Sequence, residues 1–102
     1  MDKAEVIEKL KVYKHLLAEH FDLDKVILFG SYAKGNQREH SDIDVAVIVN
    51  KVEGDYFNYT PILWKLRRDI DVLIEPILFE KDQDDPSRFL ETILKEGIEI
   101  KD

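Results

Sequence analysis

The chain has 102 residues, 44% of them hydrophobic, no cysteine, and a formal charge of −7 from 22 acidic and 15 basic residues. This is the composition of a folded globular protein, most economically one domain spanning residues 1–102. It excludes disulfide frameworks, thiolate zinc sites and a cysteine nucleophile, and it argues against long nucleic acid as a partner, which calls for a basic face. The N-terminus alternates charge and no apolar run reaches bilayer length, so the expectation is a cytoplasmic protein with no membrane contact.

Val6, Leu10, Tyr13 and Leu17 recur at helical spacing, which predicts an amphipathic helix over about residues 3–19. Lys25 to Phe29 read as a buried strand ending at Gly30. Ser31 to Lys34 suit one helical turn stopped by Gly35-Asn36, and Gln37 to Ser41 are polar loop. Asp42 to Val49 form the next strand, and Asn50 to Asp55 a loop. A helix follows over roughly 56–68, and Thr60-Pro61 points to a later start for it. Ile70 to Phe79 read as a strand, with Pro76 placing its second half at an edge. Asp85-Pro86 opens a last helix that Gly97 stops, and Ile98 to Ile100 add a short strand. The order helix, strand, strand, helix, strand, helix makes a single α/β unit.

The chemistry concentrates between Gly30 and Asp44. Gly30 ends a strand without a side chain to obstruct a phosphate, and the amides after it, with the Ser31 hydroxyl, are suited to an anion. Asp-x-Asp occurs three times, at Asp22/Asp24, Asp42/Asp44 and Asp69/Asp71. Only the middle copy enters a strand apolar on both faces, where an uncompensated charge is costly. Alternation puts both its carboxylates on one face, about 6.6 Å apart at Cα, a spacing that suits divalent metal. Hard oxygen ligands favour Mg²⁺ or Mn²⁺. Lys34 and Arg38 are candidates for steering or binding phosphate. His40 reads as a surface-loop residue, and Tyr56, Phe57, Tyr59 and Trp64 read mainly as core, with part of that cluster left for a partner surface.

Gly-Ser, ten residues, then Asp-x-Asp resembles the signature of the polymerase-beta-like nucleotidyltransferase superfamily. The fuller string Gly30-Ser31-x-Ala33-x-Gly35 with Ser41-Asp42-Ile43-Asp44 is similar to the minimal nucleotidyltransferases, often encoded beside a HEPN partner as toxin–antitoxin pairs. Lys34 departs from the arginine of many members, keeping the charge but losing the bidentate fork. The resemblance implies a small nucleotidyltransferase fold, a mixed β-sheet flanked by helices. It makes Gly30 and Ser31 triphosphate contacts and Asp42 and Asp44 ligands of two Mg²⁺ ions. It also requires a third carboxylate on a neighbouring strand, as ligand and as help in deprotonating the attacking hydroxyl. Asp71 is the preferred candidate because it reads as lying within an apolar strand, with Asp69 and Glu75 as fallbacks.

The implied activity is transfer of AMP from ATP to a hydroxyl of a HEPN-type partner, which would make this chain an antitoxin. The alternative is a non-catalytic antitoxin that neutralises its partner by contact. Oligomeric state, nucleotide base and acceptor stay open, and a homo-oligomer is compatible with the apolar surface of the helices.

Overall fold

The computed structural model describes residues 1–101, and at Tyr56 the main chain alone. The chain runs α1 (Lys3–Ala18), β1 (Leu23–Phe29), α2 (Ser31–Lys34), β2 (Ile43–Val49), a 3₁₀ turn (Tyr56–Asn58), α3 (Thr60–Arg67), β3 (Ile74–Glu80), α4 (Phe89–Glu96) and β4 (Ile98–Glu99). The strands form one mixed sheet in the order β3-β2-β1-β4. β1 is antiparallel to both β2 and β4, and β2 is parallel to β3. The expected α/β fold, a mixed sheet flanked by helices, is the one observed.

Alternation along the strands builds two cores. Val26, Leu28, Ile43, Val45, Val47 and Val49 point to one face, where Val6, Leu10, Tyr13 and Leu17 of α1 and Leu63 of α3 cover them. Ile27, Ala46, Ile48 and Phe79 point to the other face, beneath Leu90 and Ile93 of α4. Each of the larger aliphatic side chains contributes about 1.5–3 kcal/mol by leaving water. Asp2 caps α1 by accepting from the Glu5 amide at 2.8 Å. The buried Tyr13 hydroxyl donates to the Leu63 carbonyl at 2.8 Å, tying α1 to α3.

Three expectations are corrected. β3 begins at Ile74 rather than Ile70, because α3 ends in turns over residues 68–70 and residues 71–73 turn again before the sheet is reached. α4 begins at Phe89 rather than at Pro86. Asp85 lies outside it and accepts from the Leu90 amide at 2.7 Å, while Arg88 takes a left-handed conformation at φ 60° that no helix continues through. Phe57 is 80% exposed and Trp64 39%, so neither is core. Trp64 instead lies under the Arg67 guanidinium, 4.5 Å from the ring centroid. Tyr59 is half-buried against the core, and the expectation for the Tyr56 side chain lies outside the described residues.

β3 forms an outer edge of the sheet, with Pro76 opposite Val45. Among the described residues no helix is long and apolar enough to cross a membrane.

Candidate active site

At one end of the sheet the end of β1 meets the beginnings of β2 and β3. The antiparallel register puts Phe29 opposite Asp44, and the parallel register puts Glu75 opposite Asp44. Asp44 shares the α4 face with its alternation partners Ala46 and Ile48, and Glu75 shares it with Phe79. Asp44 and Glu75 are therefore cross-strand neighbours with side chains on one face, and Asp42 precedes the first residue of β2.

Gly30 is fitted to Asp44. Its backbone sits at φ +74°, and a Cβ added there would collide with Asp44 Oδ2. An L-residue at Gly30 would be strained and would also displace the carboxylate. Ser31 then starts α2, whose end is Gly35 at φ +77°.

Electrostatics mark the same point. Burial, then the charge of Glu75 and then that of Asp42, push the half-buried Asp44 carboxyl above its ordinary value. Among the described residues no lysine or arginine pairs with Asp42, Asp44 or Glu75. Three like charges share one corner, and the donor set is oxygen only. By charge and donor type this suits a hard divalent cation. Among the described residues no three acidic or histidine side chains are already gathered tightly enough to hold one. Mutual repulsion opposes such convergence until a cation offsets it.

Asp71 does not join this group. It sits in the turn before β3, where Lys9 Nζ donates to its Oδ2 at 2.9 Å and the Leu73 amide to its Oδ1 at 2.8 Å. Burial alone would raise its carboxyl, but the Lys9 and Leu73 hydrogen bonds and the Lys9 charge hold it below the ordinary range. Its expected place inside the strand is thus corrected: the carboxylate beside Asp44 is that of Glu75. Asp69 is exposed in the turn after α3. The other Asp-x-Asp copy is accounted for elsewhere, with Asp22 accepting from Asn50 at 3.1 Å and Asp24 facing Lys81 at 3.8 Å.

Lys34 is exposed at the end of α2 and lines a cleft with Gly30. Arg38 is exposed in the following loop, where its amide donates to Ser41 Oγ at 2.8 Å. His40, also exposed, is held in a left-handed conformation at φ 68°. The cleft beside Gly30, about 130 Å³, is walled by Phe29 and Phe89 and rimmed by Lys34, Thr92 and Glu96. Phe89 meets Phe29 edge-on at 5.8 Å and stays 44% exposed. The signal for a cleft was its lone aromatic position at the helix start, which only the packing on Phe29 makes meaningful.

Known proteins share this fold. Residues 11–102 match the family described as Polymerase beta, Nucleotidyltransferase. A protein of Methanocaldococcus jannaschii named "Putative protein adenylyltransferase MJ0141" is 32% identical over 100 residues, 94% of this chain and 99% of its own length. A crystal structure of a Sulfolobus solfataricus protein described as a nucleotidyltransferase superposes with a TM-score of 0.71 at 19% identity, over 95% of this chain and 80% of that one. A toxin–antitoxin structure with AMP-PNP superposes with a TM-score of 0.66 at 25% identity, over 91% of this chain and 72% of that one. With the match covering nearly all of its length, the chain belongs to the polymerase beta nucleotidyltransferase family and is a nucleotidyltransferase.

Proposed function

We propose that the chain transfers the AMP moiety of ATP to a hydroxyl group of a partner protein, in the presence of Mg²⁺. The observation that carries this reading is the half-buried Asp44, held over the bare backbone of Gly30 with Glu75 beside it and, among the described residues, no lysine or arginine paired to either. Asp42, Asp44 and Glu75 are the residues that would hold the metal. When bound, Mg²⁺ supplies charge neutralisation at the reacting phosphate and at the leaving pyrophosphate. Gly30 and Ser31 would take phosphate oxygens on their main chain and hydroxyl, with Lys34 and Arg38 adding positive charge at the rim. The Phe29–Phe89 cleft, opening from Gly30, offers the nucleobase an aromatic wall.

In the reaction the acceptor oxygen bonds to the α-phosphorus, and the bond from that phosphorus to the bridging oxygen breaks. Pyrophosphate leaves, and the acceptor proton passes to a site carboxylate, for which Glu75 is the residue we assign. The chain's contribution is alignment of the two oxygens by carboxylates that converge once a cation offsets their repulsion. The name of the M. jannaschii relative supports a protein acceptor, and likeness to a toxin–antitoxin structure with AMP-PNP supports ATP as donor and a toxin–antitoxin pairing; the HEPN-type partner and the antitoxin role rest on the sequence resemblance.

The test is transfer from ATP labelled at the α- or the γ-phosphate, with Mg²⁺, in extract of the host cell. The control is Asp42→Asn/Asp44→Asn. α-Label on a protein, lost in the control, is the expected result. γ-Label would mean a kinase. Absence of label, together with neutralisation of the partner by the control variant, would replace this reading with neutralisation by contact.

A further inference from the structure

Asp71 has too much bonded to it for a bystander, and the strand register gives the place opposite Asp44 to Glu75. Its two carboxylate oxygens serve two different elements. Oδ2 receives Lys9 Nζ from α1 at 2.9 Å, and Oδ1 receives the Leu73 amide at 2.8 Å. The Asp71 side chain keeps 12% exposure and that of Lys9 34%, so the pair is partly withdrawn from water. The Leu73 carbonyl in turn accepts from the Ile43 amide at 2.8 Å, and Ile43 stands between Asp42 and Asp44. The Asp71 carbonyl accepts from the Ile74 amide at 3.2 Å, and the Arg67 guanidinium donates to the Val72 and Ile74 carbonyls. The next residue is Glu75.

A continuous path therefore runs from the Lys9 ammonium through Asp71 and Leu73 to the main chain of the Asp42–Asp44 segment. The same turn decides where β3 begins. Side chains along a strand alternate, so a slip of one residue at this start would carry Glu75 to the opposite face from Asp44. Resting on the nucleotidyltransferase reading of the Asp44 corner, we infer that Asp71, clamped by Lys9, is a positioning residue that fixes the phase of β3 and so sets Glu75 beside Asp44, and that it does not itself ligate metal. Arg67 braces the turn from α3.

The two roles for Asp71 predict opposite patterns. Asparagine keeps an oxygen for the Leu73 amide and loses only the pairing with Lys9, whereas a ligand carboxylate has no such substitute. The full chain is compared as wild type, Asp71→Asn, Asp71→Ala, Lys9→Met, the double variant Lys9→Met/Asp71→Asn, and Asp44→Asn. Two readouts are taken: Mn²⁺ affinity by electron paramagnetic resonance without nucleotide, and the rate of α-label transfer with its Mg²⁺ half-saturation.

Outer residues that orient ligands typically cost about 10- to 100-fold in affinity or activity when removed. Asp71→Ala is expected in that range, and Asp71→Asn at its low end, about tenfold or less. Lys9→Met should match Asp71→Asn, and the double variant should be no worse than either single one, since both remove one shared link. If Asp71→Asn is as inactive and as poor at binding Mn²⁺ as Asp44→Asn, while Lys9→Met binds Mn²⁺ as wild type does, Asp71 is a ligand and the inference is wrong. Additive losses in the double variant would overturn it too.

Should wild type neither transfer label nor bind Mn²⁺, the nucleotidyltransferase reading fails, and amide exchange still decides the positioning claim. Asp71→Asn and Lys9→Met must then speed exchange at Leu73 and Ile43 relative to Ile100, which bonds to Val26 away from this turn. An unchanged pattern refutes it.

Discussion

Replacing Asp44 with asparagine should make the metal-free protein more stable while removing its activity. Asp44 and Glu75 lie directly across β2 and β3, where strand spacing is about 4.8 Å. Two unit charges at that separation repel by about 3.5 kcal/mol at an effective dielectric of 20, and by about 0.9 kcal/mol in bulk water. Asp44 is half-buried but Glu75 is exposed, so water screens the pair and the relief lies near the lower limit, about 1 kcal/mol, with a further small share from Asp42. For a domain of this size each 1 kcal/mol moves the melting temperature by about 4–8 °C. Asp44→Asn in EDTA should therefore melt at least about 4 °C above wild type by calorimetry or circular dichroism. Adding Mg²⁺ or Mn²⁺ should raise wild type and leave the variant where it was, narrowing or reversing the order. Asp24→Asn is the control, because Asp24 faces Lys81 at 3.8 Å and relieves no repulsion. If Asp44→Asn melts at or below wild type in EDTA, the carboxylates do not strain one another and the site argument loses its electrostatic basis.

Gly30→Ala should cost about 1–3 kcal/mol from the backbone conformation alone, and the clash with Asp44 should lower transfer per folded molecule well beyond that loss, as read by activity normalised to a urea melt. Phe89→Ala should raise the KM for ATP by an amount equivalent to about 1–3 kcal/mol of base stacking, with little change in kcat and none in competition by inorganic triphosphate. An unchanged KM would place the base elsewhere. Asp71 has a folded-state pKa below its ordinary value, so its contribution to stability is present at neutral pH and is lost as pH falls through that lowered value. The gap in urea midpoint between wild type and Asp71→Asn should accordingly hold from pH 7 down to the ordinary carboxylate range and close only below it. A constant gap would show that the carboxylate's charge is not what holds the turn.

Much of the architecture was legible locally. The alternating four- and three-residue spacing of Val6, Leu10, Tyr13 and Leu17 marks α1, and Gly30 marks the end of β1, because each is set by neighbours in sequence. Asp42 and Asp44 stood out because their strand is apolar on both faces. Glu75 ranked only as a fallback to Asp71, since its place comes from a register with Asp44 across 31 positions of chain, which no local pattern encodes. Asp71 looked like a strand residue because Ile70, Val72, Leu73 and Ile74 surround it. Val72 is in fact 66% exposed, and the Asp71–Leu73 hydrogen bond is a turn that short polar side chains make readily. Phe57 and Trp64 misled for a related reason, since aromatic content predicts burial only when enough structure exists to cover it.

The outer strand β3 has a bearing on how the protein behaves at concentration. An open strand edge offers a row of main-chain donors and acceptors to any other chain that arrives extended. Here Pro76 removes one N–H from that row, and Glu75 and Glu80 put negative charge near its two ends. A second copy approaching edge-on would meet a gap in the hydrogen-bonding pattern and like charge on either side of it. The acidic group that serves the site thus also discourages fibrous growth along the same strand.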